Sequence, residues 1–261
     1  MSVVVAAPER RWRIRLLLAV VAVGIVAVML TPPLRQDPAY HDFADRRAWL
    51  RIPYALNVLS NAGFLLVGAW AFAAVGRARL PRWERSAGFL FALGLVLTGF
   101  GSAYYHWAPS NTTLVWDRLP LAALFPLVFA VVIGDRLSQA VGRVLFLPLA
   151  VAGVVSVVWW DITDDLRPYG LVQFLPLALI PLMLWLFPGR RPTRDLWIGV
   201  AIYAGSKIFE VGDGAIFAAG GVVSGHTIKH VLAAVAAGFI VRWLAPSART
   251  PFRHGTTQTS R

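Results

Sequence analysis

Three histidines stand at the ends of apolar segments, where a buried ionisable side chain is costly and therefore indicates a function. His226 and His230 lie four residues apart in G-H-T-I-K-H, directly before the apolar run VLAAVAAGFIV. His106 ends an earlier apolar segment in S-A-Y-Y-H, where Ser102 precedes it by four residues. Residues four apart share one face of a helix, so we expect Ser102 to stack with His106, and His226 with His230.

Three neutral imidazoles, with a fourth position left to water, form a zinc site of the open, catalytic kind. Such an ion acidifies its bound water and polarises a carbonyl group. Asp117, at the start of the next apolar segment, is a candidate to accept and return the proton, and Ser102 to hydrogen-bond the water or a developing oxyanion. Each residue alone also fits a plainer role: a helix contact for a histidine, an N-cap for the aspartate, a capping or back-bonded serine.

The composition indicates an all-α, polytopic membrane protein. Of the 261 residues, 57% are hydrophobic and 15% are charged, against about 25% charged in soluble domains. A net charge of +12 can indicate a protein that binds nucleic acid. The arginines here form small clusters between apolar runs, so no nucleic-acid partner is expected. Without cysteine, a metal must be held by His, Asp, Glu or Ser.

Apolar runs long enough to cross a bilayer predict eight spans, at about 14–31, 55–75, 87–107, 118–135, 143–160, 169–187, 195–213 and 226–244.

Alternate connections between these spans are basic, which sets their orientation through the positive-inside rule. The N-terminal leader, the tail after Arg242 and the connections at 76–86, 136–143 and 188–194 carry the arginines, whereas the intervening ones carry only Arg167. The segment 32–54 is an exception, since it mixes arginines and aspartates. We expect both termini in the cytoplasm, in a bacterial inner or plasma membrane. The candidate site residues then lie at one depth, towards the extracytoplasmic side, and this joint placement favours the metal site over the plainer roles.

The spans define the expected domain organisation. Residues 1–35 form a cytoplasmic leader and a membrane anchor, which we expect to be uncleaved because no small-x-small cleavage site precedes T-P-P. Residues 36–245 form a seven-helix membrane domain, and residues 246–261 form a disordered cytoplasmic tail. A membrane lipid is the expected partner, and no obligate protein partner is evident.

The spacing of the site residues resembles that of a known family. Ser-x3-His, an aspartate eleven residues after that histidine, and a late His-x3-His in the last helix are similar to the alkaline ceramidase family. This family belongs to a superfamily of seven-helix membrane hydrolases that includes the adiponectin-receptor-like proteins. N-V-L-S-N, from Asn57 to Asn61, also resembles the opening of the family's first core helix, so the resemblance covers about residues 40–245.

The resemblance implies a zinc ion held by His106, His226 and His230, with Asp117 contacting the zinc-bound water and Ser102 beside the metal. It further implies hydrolysis of the amide bond of ceramide or another N-acyl lipid, which releases a fatty acid and an amino base. Spans two to eight would be the seven core helices, and the first span would be an addition.

Animal members of the family bind calcium through an acidic N-terminal segment. The corresponding segment here contains Asp42 and Asp45 next to two arginines, with Tyr54 where an acid is expected. Two carboxylates beside two arginines make a poor site for a hard cation, which argues against calcium.

Two further acids and a lysine lie near the proposed site. Glu210 and Asp213 are three residues apart near the outer end of the seventh span, and either is a candidate to accept a hydrogen bond from the second ring nitrogen of a zinc-binding histidine. A solvent-exposed helix end is the plainer role, and it suits Asp213 better. Lys229 is expected to extend to the membrane interface rather than join the metal.

Two other classes of function remain open at this point. One is a receptor or sensor with the same fold, in which zinc is structural. The other is a membrane cytochrome, because histidines on paired helices can ligate haem, although haem would not need Asp117 or Ser102.

Overall fold

The computed structural model describes residues 7–246, and within this range the chain is helical and contains no β-strand. The helices are α1 (Ala7–Leu30), α2 (Ala55–Leu59), α3 (Ala62–Arg77), α4 (Arg82–Trp107), α5 (Asn111–Arg136), α6 (Gln139–Thr163), α7 (Arg167–Leu186), α8 (Arg194–Val211), α9 (Asp213–Gly220) and α10 (Gly225–Leu244). A short 3-10 helix spans Pro38–His41. The predicted tail at 246–261 lies outside the described residues except for its first residue.

Within residues 7–246, seven segments are long and apolar enough to cross a membrane, which indicates an integral membrane protein. They are α1, the α2–α3 pair, α4, α5, α6, α7 and α10. The remaining predicted span, 195–213, is present as the 18-residue helix α8, but it is not among the seven. It contains Arg194, Asp195, Lys207 and Glu210, and these charges exceed what a simple apolar span carries. This prediction was therefore right about the helix and wrong about its apolar character.

Helix α5 is the most buried of the seven segments and forms the centre of the bundle. It packs along α4 and α6 and also contacts α7, while α10 packs along α8 and α3. Helix α1 packs on α7 and leaves most of its surface exposed, as suits a helix added outside the core.

The basic connections meet at one end of the bundle, as their alternation predicts. Glu84, at the start of α4, accepts hydrogen bonds from Gln139 and from Arg190, and it pairs with Arg191. The first turns of α1 join the same end, because Arg13 donates to the backbone carbonyl of Leu186. Glu84 is 2% exposed, so this cluster holds α4, α6 and the connection between α7 and α8 together where they leave the apolar interior.

The segment between α1 and α2 covers the other end. The backbone N–H of Leu34 donates to Asp165, between α6 and α7, and Arg167 donates to the backbone carbonyl of Thr31. Hydrogen bonds from Arg167 lower the pKa of Asp165 to about 2, so this carboxylate stays charged at neutral pH. The covering segment thus has fixed attachments.

Helices α4 and α5 approach most closely beside two candidate site residues. A Cβ on Gly101 would lie 2.1 Å from the backbone carbonyl oxygen of Trp116, so a side chain there would collide with the backbone of α5. Because Gly101 precedes Ser102 and Trp116 precedes Asp117, this glycine contact sets the separation between the serine and the aspartate.

The contact predicts that Gly101→Ala separates α4 from α5. Overpacking a well-packed interior costs about 1–3 kcal/mol, which corresponds to a Tm lowered by roughly 3–10 °C. Thermal unfolding of the detergent-purified protein measures the change. Gly76→Ala is the matched control, since nothing lies within 4 Å of a Cβ at that position. An unchanged Tm in Gly101→Ala would contradict the close contact.

Candidate metal centre

His106, His226 and His230 converge on one point between α4 and α10. One ring nitrogen from each lies within 4.8 Å of the others, and all three side chains are buried. The Nε2 atom of His106 lies 3.2 Å from Nε2 of His230 and 3.3 Å from Nε2 of His226. The i, i+4 spacing puts the last two on one face of α10, and Ser224 caps the N-terminus of that helix through the N–H of Thr227.

The two distances from Nε2 of His106 match those of a tetrahedral metal site. Zinc–nitrogen bonds of about 2.0–2.1 Å at tetrahedral angles separate two ligand nitrogens by about 3.3–3.4 Å. Hydrogen bonds alone do not account for the cluster, because the single Nε2 of His106 cannot donate to both neighbouring rings. A cation that accepts all three lone pairs satisfies the arrangement. Three converging imidazoles also leave no plane for a porphyrin, so the geometry disfavours haem.

Ser60 fixes the orientation of His230. Its hydroxyl donates to the backbone carbonyl of Asn57 at 3.0 Å and lies 2.8 Å from Nδ1 of His230. With the serine hydrogen donated to Asn57, the serine oxygen is free to accept a hydrogen bond from Nδ1–H of His230. The lone pair on Nε2 then points towards the other two histidines, which is the tautomer that metal binding requires.

A cavity of about 420 Å³ reaches this centre through His230. Ser102 and Asp117 line the same cavity, and the serine hydroxyl approaches the aspartate carboxylate. Both side chains are buried, with 2% and 8% of their surface exposed. The structure therefore brings together all five residues that the sequence predicted for the metal and its chemistry.

Phe43, from the covering segment, closes the opposite side of the histidine cluster. Its ring centroid lies 4.6 Å from those of His106 and His226, and the residue is 3% exposed. The backbone N–H of the next residue, Ala44, donates to Asp213. The histidine cluster thus contacts an aromatic ring from the covering segment as well as the cavity.

Asp213 and Glu210 have other partners than the predicted ring nitrogens. Asp213 accepts from the backbone N–H groups of Ala44 and His226, at 2.9 Å and 2.7 Å, and so ties the covering segment to the start of α10. Glu210 pairs with Lys207 at 2.7 Å and with Lys229 at 3.0 Å. Ser60 is the residue that serves a histidine ring, so the assignment of Glu210 and Asp213 to that role is corrected.

Lys229 also differs from expectation. It lies in the wall of the cavity rather than at the membrane interface, because Glu210 on the neighbouring helix α8 compensates its charge. Gly225, which begins α10, allows the close approach of α8, since a Cβ there would lie 2.2 Å from the carbonyl oxygen of Phe209.

The two aspartates weighed for calcium each pair with an arginine. Asp42 lies 3.1 Å from Arg46 at the surface, and buried Asp45 lies 2.8 Å from Arg47. Hydrogen bonds from Arg47 hold the pKa of Asp45 below its usual range. Arg47 also donates to the carbonyl of Val222, so the pair anchors the covering segment to the loop before α10.

Sequence reasoning missed Arg118, which lines the cavity one residue after Asp117. An arginine inside an apolar span is the same signal that singled out the histidines.

No family model matches the chain, and no curated protein matches it.

The role of Ser60 predicts that Ser60→Ala weakens metal binding without abolishing the site. Loss of a residue that orients a ligand lowers metal affinity by about 10–100-fold. Chelator competition, read by metal analysis of the purified protein, measures the affinity. Ser86→Ala is the control, because Ser86 is exposed on α4 and bonds only within its helix. Equal affinities for wild type and Ser60→Ala would contradict the role of Ser60.

Proposed function

We propose that this protein is a zinc-dependent intramembrane hydrolase that cleaves the amide bond of ceramide or a related N-acyl lipid, and that it belongs to the alkaline ceramidase family. The observation that carries the proposal is the buried pair of Ser102 and Asp117 in the cavity that reaches the three histidines. A structural metal site needs neither residue, whereas hydrolysis needs a proton acceptor beside the metal.

The donor set suits zinc and its chemistry. Three neutral imidazoles are a common protein ligand set for catalytic zinc, and all three lone pairs are available here. When bound, zinc would supply Lewis acidity towards the carbonyl oxygen and lower the pKa of a water molecule.

Asp117 is the residue for proton transfer. Hydrolysis joins the water oxygen to the carbonyl carbon and breaks the carbon–nitrogen bond, and Asp117 would take the proton from water and return it to the departing amine. The hydroxyl of Ser102 would donate a hydrogen bond to the oxygen that gains charge. Phe43 keeps bulk water from the opposite side of the histidines.

The shape of the interior supports a lipid substrate. The cavity shares Phe64, Leu121, Tyr203 and Ala233 with a narrow cleft of about 70 Å³. The cleft is lined almost entirely by apolar side chains from the middle of the bundle. An acyl chain that extends from the cavity into the mouth of this cleft would place its polar end beside Asp117 and His230.

Asp117→Asn is expected to lose hydrolysis and keep the metal. Loss of a general acid–base residue costs about 10²–10⁴-fold in rate, and Asp117 is not one of the three histidine ligands. Fatty acid release from ceramide and other N-acyl lipids measures the rate, and elemental analysis measures the metal. Asp161→Asn is the matched control, since Asp161 is an exposed acid at the same end of the bundle.

Two results would count against the proposal. Wild-type rates in Asp117→Asn would remove Asp117 from the chemistry. Bound metal in wild type without turnover of any amide lipid would favour a receptor or sensor with structural zinc.

A further inference from the structure

The cavity beside the metal centre carries more positive than negative charge. Three cationic side chains line it, Arg118, Lys207 and Lys229, against the two carboxylates Asp117 and Glu210. Glu210 pairs with both lysines. Among residues 7–246, no carboxylate lies within ion-pair distance of Arg118.

Arg118 has a donor without an acceptor. One terminal nitrogen, Nη2, donates to the side-chain oxygen of Gln36 at 2.7 Å. The other, Nη1, is buried and has no hydrogen-bond partner in the described part of the chain. The whole residue is 6% exposed, and an unpaired buried guanidinium nitrogen is costly.

Aromatic rings hold this guanidinium in place. Its central carbon lies 4.2 Å from the ring centroid of Trp160 and 5.0 Å from that of Tyr169, and Tyr40 lies at 5.4 Å. Such contacts stabilise the cation, but the rings accept no hydrogen bond from the N–H groups at the edge of the guanidinium. Arg118 is therefore held between aromatic rings, while Nη1 lacks the acceptor that a planar or tetrahedral anion would supply.

The position of Arg118 determines where a bound anion would lie relative to the amide bond of a lipid substrate. Gln36 and Tyr40 belong to the covering segment, so Arg118 stands at the end of the cavity nearest that segment, and the apolar cleft leads away into the bundle. Asp117, one residue before Arg118, lines the same cavity. A lipid with its acyl chain in the cleft and its amide at Asp117 would extend its headgroup towards Arg118.

We propose that Arg118 binds an anionic group on the amine side of the substrate, so that this protein selects N-acyl lipids whose headgroup carries a carboxylate or a phosphate close to the amide nitrogen. This inference rests on the proposed hydrolase function and narrows it, since ceramide has a neutral headgroup. The bound anion neutralises the excess positive charge and accepts from Nη1 of Arg118.

Binding of uncleavable analogues tests the inference apart from catalysis. Octanesulfonyl amides of glycine, of ethanolamine phosphate and of ethanolamine carry a carboxylate, a phosphate and a neutral hydroxyl on the same chain. Calorimetric titration of the full-length, metal-loaded protein in detergent compares them. At least one anionic analogue is expected to bind about tenfold tighter than the neutral one, as a charge-assisted hydrogen bond allows, and the stronger of the two identifies the anion.

Variants assign this preference to Arg118. Arg118→Gln is expected to bind the three analogues with affinities within about twofold of one another, and Arg118→Lys is expected to retain part of the preference. Arg46→Gln, which removes the same charge from an exposed site in the covering segment, should keep the wild-type preference. The comparison of analogues on wild type needs no variant, so it stands if Arg118→Gln does not fold.

Equal binding of all three analogues to wild type would overturn the inference, as would a preference that survives Arg118→Gln. Tight binding of octanoate through Arg118, together with equal binding of the three analogues, would show that Arg118 binds the fatty acid product. That result would also overturn the inference. Hydrolysis of N-octanoylglycine is measured separately. A preference for anionic analogues without hydrolysis would support the anion site and refute the proposed hydrolase function. Equal hydrolysis of charged and neutral amides would support the hydrolase function and refute the anion site.

Discussion

Three imidazole nitrogens that meet inside an apolar bundle are the constraint on which the rest of this structure depends. Lone pairs 3.2–3.3 Å apart repel one another unless a proton or a cation lies between them. Histidine rings in such a place must be held by other contacts. Ser60 holds His230 from α2–α3, Asp213 holds the backbone of His226, and Phe43 packs on His106 and His226. Each support comes from a different part of the chain, so the covering segment and the bundle form one unit around the metal centre.

The two ends of the bundle are stabilised differently because the site lies near only one of them. Away from the site, buried Glu84 gathers arginines and Gln139, a cluster that excludes water and leaves little freedom. At the site end, the covering segment is attached by hydrogen bonds from its own backbone, such as those of Leu34 and Ala44 to aspartates. A segment attached in this way can be positioned accurately over a cavity without filling it. The same end therefore accommodates both the aromatic cover and the cavity at Asp117.

Local periodicity and charge placement predicted most of the long helices, their common ends and the five residues that the structure brings together, but not helix α9 or the division between α2 and α3. Four-residue spacing fixed the pairs Ser102–His106 and His226–His230, and alternate basic connections placed both pairs at one end. The partners of those residues could not be predicted, because they depend on contacts between distant segments. Ser60 is 170 residues from His230, and the break between α2 and α3 that presents it has no signal in the apolar pattern. Lys229 was expected at the interface because its charge would oppose a metal, and its pairing with Glu210 on α8 depends on a contact between helices. Arg118 is a charge inside an apolar span, which is a signal that the sequence does contain.

The burial of Asp117 supports the proposed hydrolase function on energetic grounds. Its carboxylate is 8% exposed, and within residues 7–246 it forms no ion pair, although Arg118 is its neighbour in sequence. Burying an unpaired carboxylate costs several kcal/mol, and an asparagine of the same shape would avoid that cost. Three histidines already provide a ligand set for a metal ion, and a carboxylate beside them suits the acceptance and return of a proton. The burial of Asp117 next to Ser102 therefore supports the proposed hydrolysis.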